Sequence, residues 1–205
     1  SRLWENLVGR SLPFWKGFYP RLKSLYPEQL ADVDLTTFHR AINKVEPSLI
    51  RVEADEATYN LHIMLRFDLE IALAEDSLSV ADLPAAWNDK MRDYLGLTPP
   101  NDAQGVMQDV HWSAGILGYF PTYALGNLVA SQLWEKINAD LPDLSKQIER
   151  SDFSQLLAWL RTHIHRHGSK FEATELLQRV VGGGLAAAPY LKYLETKFGE
   201  IYGLG

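Results

Sequence analysis

Apolar residues in this chain return every three or four positions in run after run, a period that suits helices and leaves little room for a sheet. The longest unbroken run covers residues 53–74, where Ala57, Leu61, Met64, Leu65, Leu69 and Leu73 repeat at helical spacing. Residues 35–45 repeat Leu35, Phe38, His39, Ile42 and Val45 behind Asp34, a good N-cap. A helix over 83–95 carries Pro84 in its first turn, where the missing N–H costs nothing. Residues 113–137 read as helical with one break at Pro121. Ser151 is expected to cap a helix over 152–166, with Gly168 as its stop. Ser169 and Glu172 read as a capping box for 170–181, ended by Gly182-Gly183-Gly184, and a last helix covers about 188–202. The only strand signal is Leu49-Ile50-Arg51-Val52. The expected fold is all-α with at most one short strand. With no internal repeat, low-complexity tract or strong linker, residues 1–205 are expected to form a single portion.

Composition removes several functions. A chain of 205 residues with no cysteine has no disulfide framework, Cys-ligated zinc, iron–sulfur cluster or thiol nucleophile. Its 20 basic and 26 acidic residues give a net charge of −6, which opposes broad binding to nucleic acid or an anionic membrane. The most apolar stretches, 115–130 and 180–191, are interrupted by Gly, Pro, Tyr, Thr and Asn, so neither matches a spanning helix. The expectation is a cytoplasmic protein with no nucleic-acid and no membrane partner. The opening Ser1-Arg2-Leu3-Trp4-Glu5-Asn6 lacks an initiator Met and starts in an apolar helical pattern, which reads as the middle of a longer protein.

Candidate chemistry is sparse. No H-E-x-x-H, P-loop or G-x-S-x-G string is present, and Gly182-Gly183-Gly184 lacks the lysine of a phosphate loop. His163 and His167 stand at i,i+4 and could share a metal, but cations also suit a helix C-terminus, and that reading is preferred. Asp109 and His111 place a carboxylate and an imidazole at a loop-to-helix junction, where reactive groups are often exposed. Tyr119 and Tyr123 follow around Pro121; a phenol there can pack, or can donate to an oxyanion. Arg51 lies among Glu53, Asp55 and Glu56, as either a solvated ion-pair cluster or a two-pronged carboxylate binder. His62, Arg66 and Glu70 stack at i,i+4 as ordinary helix-face pairing.

Literal strings go further. Ser1-Arg2-Leu3-Trp4-Glu5-Asn6, Ile50-Arg51-x-x-Ala54-Asp55-Glu56 and Gly105-x-x-Gln108-Asp109-x-His111-Trp112 closely resemble the thermostable metallocarboxypeptidases of the carboxypeptidase Taq family. The similarity continues through Gly118-Tyr119-Phe120-Pro121-Thr122-Tyr123-Ala124-Leu125-Gly126 and His165-Arg166-His167-Gly168, so it covers most of the chain. It implies the C-terminal part of a zincin-like helical peptidase that removes single residues from peptide C-termini. The family's zinc ligands are two histidines of H-E-x-x-H and the Glu of a later H-E-S-Q string that directly precedes a sequence like Ser1-Arg2-Leu3-Trp4. All of these, with the general base, fall outside these 205 residues.

Zinc is therefore expected in the full-length enzyme, with no metal ligand in this chain. The implied partners are the C-terminus of a peptide substrate, the missing N-terminal half and a second copy in a homodimer. By resemblance, Arg51 binds the terminal carboxylate, His111 and Tyr123 act as the catalytic oxyanion donors, and Gln108 and Asp109 orient His111. A competing expectation is a non-catalytic helical scaffold of the same fold. Arg51, His111 and Tyr123 are expected on a broad open groove. The apolar stretch Trp4, Leu7, Phe14, Trp15 and Phe18 is expected either to fold onto neighbouring helices or to stay open.

Overall fold

A computed structural model describes residues 1–204. Those residues contain helices and turns and no strand. Two compact units are present, Lys44–Leu125 and the remainder of the chain on either side of it.

The flanking unit holds a π-helical turn Leu3–Val8 and helices α1 (Leu12–Leu25) and α2 (Leu35–Ile42). From its far side it adds most of α5 (Pro121–Asp140), then α6 (Leu144–Glu149), α7 (Ser154–His163), α8 (Ala173–Val181) and α9 (Ala188–Tyr202). Leu3, Leu7 and Val8 enter a core with Ile137, Leu144, Ile148, Leu156 and Leu160. The apolar N-terminal stretch thus packs on neighbouring helices, with Leu7 buried and Trp4 at its edge 37% exposed. Phe14 stacks on Phe18 at 4.5 Å, both approach Phe153, and Trp15 sets its edge on Phe38 at 4.6 Å. Helix α1 approaches α6 so closely that a Cβ on Gly17 would lie 2.5 Å from the Glu149 carbonyl oxygen.

The inner unit is built on α3 (Tyr59–Ala74) and α4 (Leu83–Leu95). Leu65 and Leu69 of α3 pack on Leu83, Trp87, Met91 and Leu95 of α4, chains that each contribute about 1.5–3 kcal/mol when fully buried. A second cluster joins Tyr59, Ile63 and Phe120.

Several boundaries follow their sequence signals. Asp34 Oδ1 accepts from Thr37 N at 2.6 Å and caps α2, and α4 and α9 span the predicted residues. Others differ for physical reasons. The expected strand at 49–52 is extended only at its start, and Arg51–Glu53 is a 3₁₀ turn. The expected helix over 113–137 starts only at Pro121, because Gly115 and Gly118 take φ of 72° and 73° and keep residues 111–120 in turns. Ser151 takes φ 60° and does not cap α7; Asp152 accepts from Ser154 N instead. Glu172 is the N-cap of α8 but its side chain makes no capping bond, so the expected box does not form.

Candidate functional site

Three segments of the inner unit, distant in sequence, meet at one buried carboxylate. The loop 99–111 presents Asp109, and close backbone turns hold it in place. Met107 N donates to Asp102 O at 2.9 Å and Gln108 N to Gly105 O at 3.1 Å. A Cβ on Gly105 would lie 3.2 Å from both Asn101 O and Pro99 Cβ, a tight contact that favours glycine there.

Arg51 of the 3₁₀ turn donates from Nε and Nη2 to Asp109 Oδ1 at 3.1 and 2.6 Å, and from Nη1 to the Tyr59 hydroxyl at 3.0 Å. Arg66 of α3 donates from Nε to Asp109 Oδ2 at 2.7 Å, from Nη2 to Gln108 Oε1 at 2.9 Å and from Nη1 to its own turn at His62 O. Gln108 closes the ring: its Oε1 also accepts from Arg51 N at 2.9 Å, and its Nε2 donates to Leu49 O at 3.0 Å. Both guanidiniums lie against aromatic faces, Arg51 near Tyr123 at 4.8 Å and Arg66 near Trp87 at 4.5 Å.

Two cations on one anion leave a local surplus of positive charge. Burial pulls the Arg51 guanidinium down, but the hydrogen bonds and charge of Asp109 outweigh it and raise it overall. Arg66 is fully buried, and there burial wins, lowering it to about 10 against the pull of Asp109. Burial pushes the Asp109 carboxyl up, yet the two arginines together hold it below the usual carboxylate value. His62, one turn before Arg66, is held down at about 4 by burial and then by the charges of Arg66 and Arg51. Both its ring nitrogens are buried without a hydrogen-bond partner.

His111 lies beside this network. Its Nε2 is 2.9 Å from the Tyr123 hydroxyl, its Nδ1 is 3.9 Å from Asp109 Oδ1, and its ring rests on Phe120 at 4.4 Å. Tyr123, in the first turn of α5, is half-buried and its phenol is pushed up, first of all by burial. An imidazole and a phenol in one hydrogen bond at the edge of an arginine cluster can donate to a developing oxyanion.

All five residues singled out in the sequence therefore come together: Arg51, Gln108, Asp109, His111 and Tyr123. They do not line an open groove. Arg51 is only 5% exposed beneath Tyr59, Phe120 and Tyr123, and His111 is buried among Tyr119, Phe120 and Tyr123. Arg66 is the member that the pattern reading missed. Its i,i+4 spacing with Glu70 read as ordinary helix-face pairing, whereas Glu70 Oε1 accepts from Trp112 Nε1 at 2.9 Å and Gly118 N at 3.1 Å instead. The available signal was that apolar residues flank the His62–Arg66–Glu70 line on both sides in 59–74, so that line need not face solvent.

His163 ends α7 with its ring against Trp159, and His167 lies against Phe171. Among the described residues, no group of three or more His, Cys, Asp or Glu is placed to hold a metal ion. No helix there is long and apolar enough to cross a membrane.

Comparison with known proteins adds an independent line. Residues 1–198 match the family described as carboxypeptidase Taq (M32) metallopeptidase. Thermostable carboxypeptidase 1 of Thermus thermophilus is 53% identical over 203 residues, 99% of this chain and 40% of that protein. Carboxypeptidase 1 of Bacillus subtilis is 43% identical, over 98% of this chain and 40% of its own length. The crystal structure of the M32 carboxypeptidase of Deinococcus radiodurans R1 superposes with a TM-score of 0.96 at 46% identity, covering 98% of this chain and 41% of that one. The chain thus spans about 40% of the length of the curated relatives it matches.

Proposed function

The chain belongs to the carboxypeptidase Taq (M32) metallopeptidase family, and from that premise we propose that it is the C-terminal, substrate-binding portion of a zinc metallocarboxypeptidase that removes single residues from peptide C-termini. The supporting observation is the convergence of Arg51, His111 and Tyr123 around the Asp109 carboxylate. The family description implies a metal, and among the described residues no group of His, Asp and Glu fits one. In this reading the zinc ligands and the general base lie in an N-terminal portion outside the chain, and the metal would there supply Lewis-acid chemistry to the scissile carbonyl.

The chain's own residues then do three things. Arg51 binds the substrate's terminal carboxylate. Asp109 and Tyr59 engage three of its five N–H donors, which leaves two for the substrate. The surplus positive charge of the Arg51–Arg66–Asp109 trio favours that second anion. Once substrate entry parts the hydrogen bond between them, His111 Nε2 and the Tyr123 hydroxyl are the donors to the oxyanion that forms as the peptide carbonyl becomes tetrahedral. Gln108 and Asp109 position Arg51, and Asp109 also faces the second nitrogen of His111. Because Tyr123 covers Arg51, substrate entry requires that ring to move. The assembled enzyme is cytoplasmic and homodimeric in this reading.

The close burial of Arg51 and His111 favours a second reading, a helical scaffold without catalysis. C-terminal amino-acid release separates the two. The longer polypeptide carrying this chain should release single residues from free-acid peptides in a metal-dependent way, and the chain alone, with zinc added, should release none. A coding sequence that starts near Ser1, together with no turnover in any form, supports the scaffold instead.

A further inference from the structure

Helix α3 is apolar on two opposite sides, and only one of them has a partner among the described residues. Leu65, Leu69 and the His62–Arg66–Glu70 line are buried. On the far side Met64, Phe67 and Ile71, spaced i, i+3, i+7, are 50%, 44% and 40% exposed. An apolar stripe along a helix is ordinarily covered by a neighbouring element. Next to this stripe is a cavity of about 670 Å³ whose walls include Phe67, Ile71, Val80 and Leu117. The two charged residues in its lining, Glu70 and Asp76, are both acids. Glu70 is 7% exposed, and while Oε1 serves Trp112 and Gly118, Oε2 is buried with no hydrogen-bond partner.

Buried acceptors in folded proteins are paired, so the lone oxygen marks a missing donor. A neighbouring apolar wall with only acidic charge selects a cationic donor on an apolar body. A second copy meeting this face on itself would crowd the acids of both copies near the two-fold axis, and the cavity lining offers no cation to answer them. The curated relatives extend well beyond the stretch that this chain matches, which leaves most of their length available to cover the face. We infer that the α3 face of Met64, Phe67 and Ile71, with the cavity at Glu70, docks an apolar segment of the longer polypeptide that presents a Lys or Arg to Glu70 Oε2. The inference rests on the reading that such a longer polypeptide exists, but not on its activity.

The chain has no cysteine, so Phe67→Cys installs its single thiol. Iodoacetamide labelling of that position, followed by peptide mass spectrometry, is compared between the chain alone and the longer polypeptide. The expected result is rapid labelling in the chain alone and labelling slowed at least about a hundredfold in the longer polypeptide, as for a site that reacts only on opening. Glu70→Gln keeps the Oε1 acceptor and removes the charge; it should leave the urea midpoint of the chain alone unchanged and lower that of the longer polypeptide. Equal labelling rates in the two forms overturn the inference, as does protection in the chain alone that grows with its concentration, which would assign the face to a second copy. A Glu70→Gln midpoint unchanged in both forms overturns the cation. Because labelling and midpoints do not depend on turnover, an active enzyme with a freely labelled Phe67→Cys refutes this inference alone, and a protected but inactive one refutes the functional reading alone.

Discussion

Asp109→Asn is the substitution that most severely tests the buried network, and it can be made in the chain by itself. The carboxylate receives both guanidiniums with its side chain only 10% exposed. Asparagine keeps one acceptor oxygen, turns an NH₂ donor toward one of the arginines, and removes the only negative charge between them. Breaking a buried ion pair from one side costs about 3–5 kcal/mol, because the cations stay buried without compensation. Against a total stability of about 5–15 kcal/mol, that is a large share. Asp68 supplies the control: its pair with Lys90 has both side chains 36% exposed, so Asp68→Asn should cost less than about 1 kcal/mol. Urea unfolding followed by circular dichroism and tryptophan emission measures both. A double-mutant cycle with Arg66→Met should show coupling above about 1 kcal/mol. If Asp109→Asn costs no more than Asp68→Asn, Asp109 does not anchor the inner unit and the argument from burial is wrong.

Three further outcomes follow from the same geometry. His62 is held at about 4 against an ordinary 6.5, so between those values the unfolded chain binds more protons than the folded one. Stability should therefore fall as pH drops through that window, by about 3 kcal/mol, and a urea midpoint that is flat from pH 6.5 to 4 contradicts it. Gly17→Ala should destabilise the flanking unit by about 1–3 kcal/mol, since the new methyl meets the Glu149 backbone; an unchanged thermal midpoint refutes the close approach. Tyr123→Phe in the longer polypeptide should lower kcat by roughly a hundredfold with little change in KM, as for a lost oxyanion donor, whereas a rise in KM alone would make Tyr123 a ground-state contact.

The sequence exposed the helices more completely than it exposed the site. Helices with strong termini, such as α2 behind Asp34 or α9 between Pro189 and Gly203, were legible because their signals are local. The stretch 111–120 was not, since its turns, with Gly115 and Gly118 at positive φ, are tied by Trp112 Nε1 and Gly118 N donating to Glu70 Oε1, more than 40 positions away on α3. For the site, family strings identified Arg51, Gln108, Asp109, His111 and Tyr123, which the structure brings together. Spacing alone read Arg66 as ordinary helix-face pairing, because i,i+4 periodicity records which residues share a side of a helix and not whether that side is covered. It also missed the burial of Arg51, which comes from Tyr59, Phe120 and Tyr123, residues 8 or more positions away.

The central claim is that Arg51 reads the free carboxylate of a peptide substrate, and the most direct measurement is kcat/KM of the longer polypeptide on matched free-acid and C-terminally amidated peptides, with and without Arg51→Ala. Arg66 continues to hold Asp109 in that variant. The expected result is a loss of about 2–3 kcal/mol in transition-state binding for the free acid, roughly 30- to 150-fold in kcat/KM, and a much smaller loss for the amide. Equal losses on the two peptides would show that Arg51 only holds the fold, and would contradict the reading of this site as a carboxylate receptor.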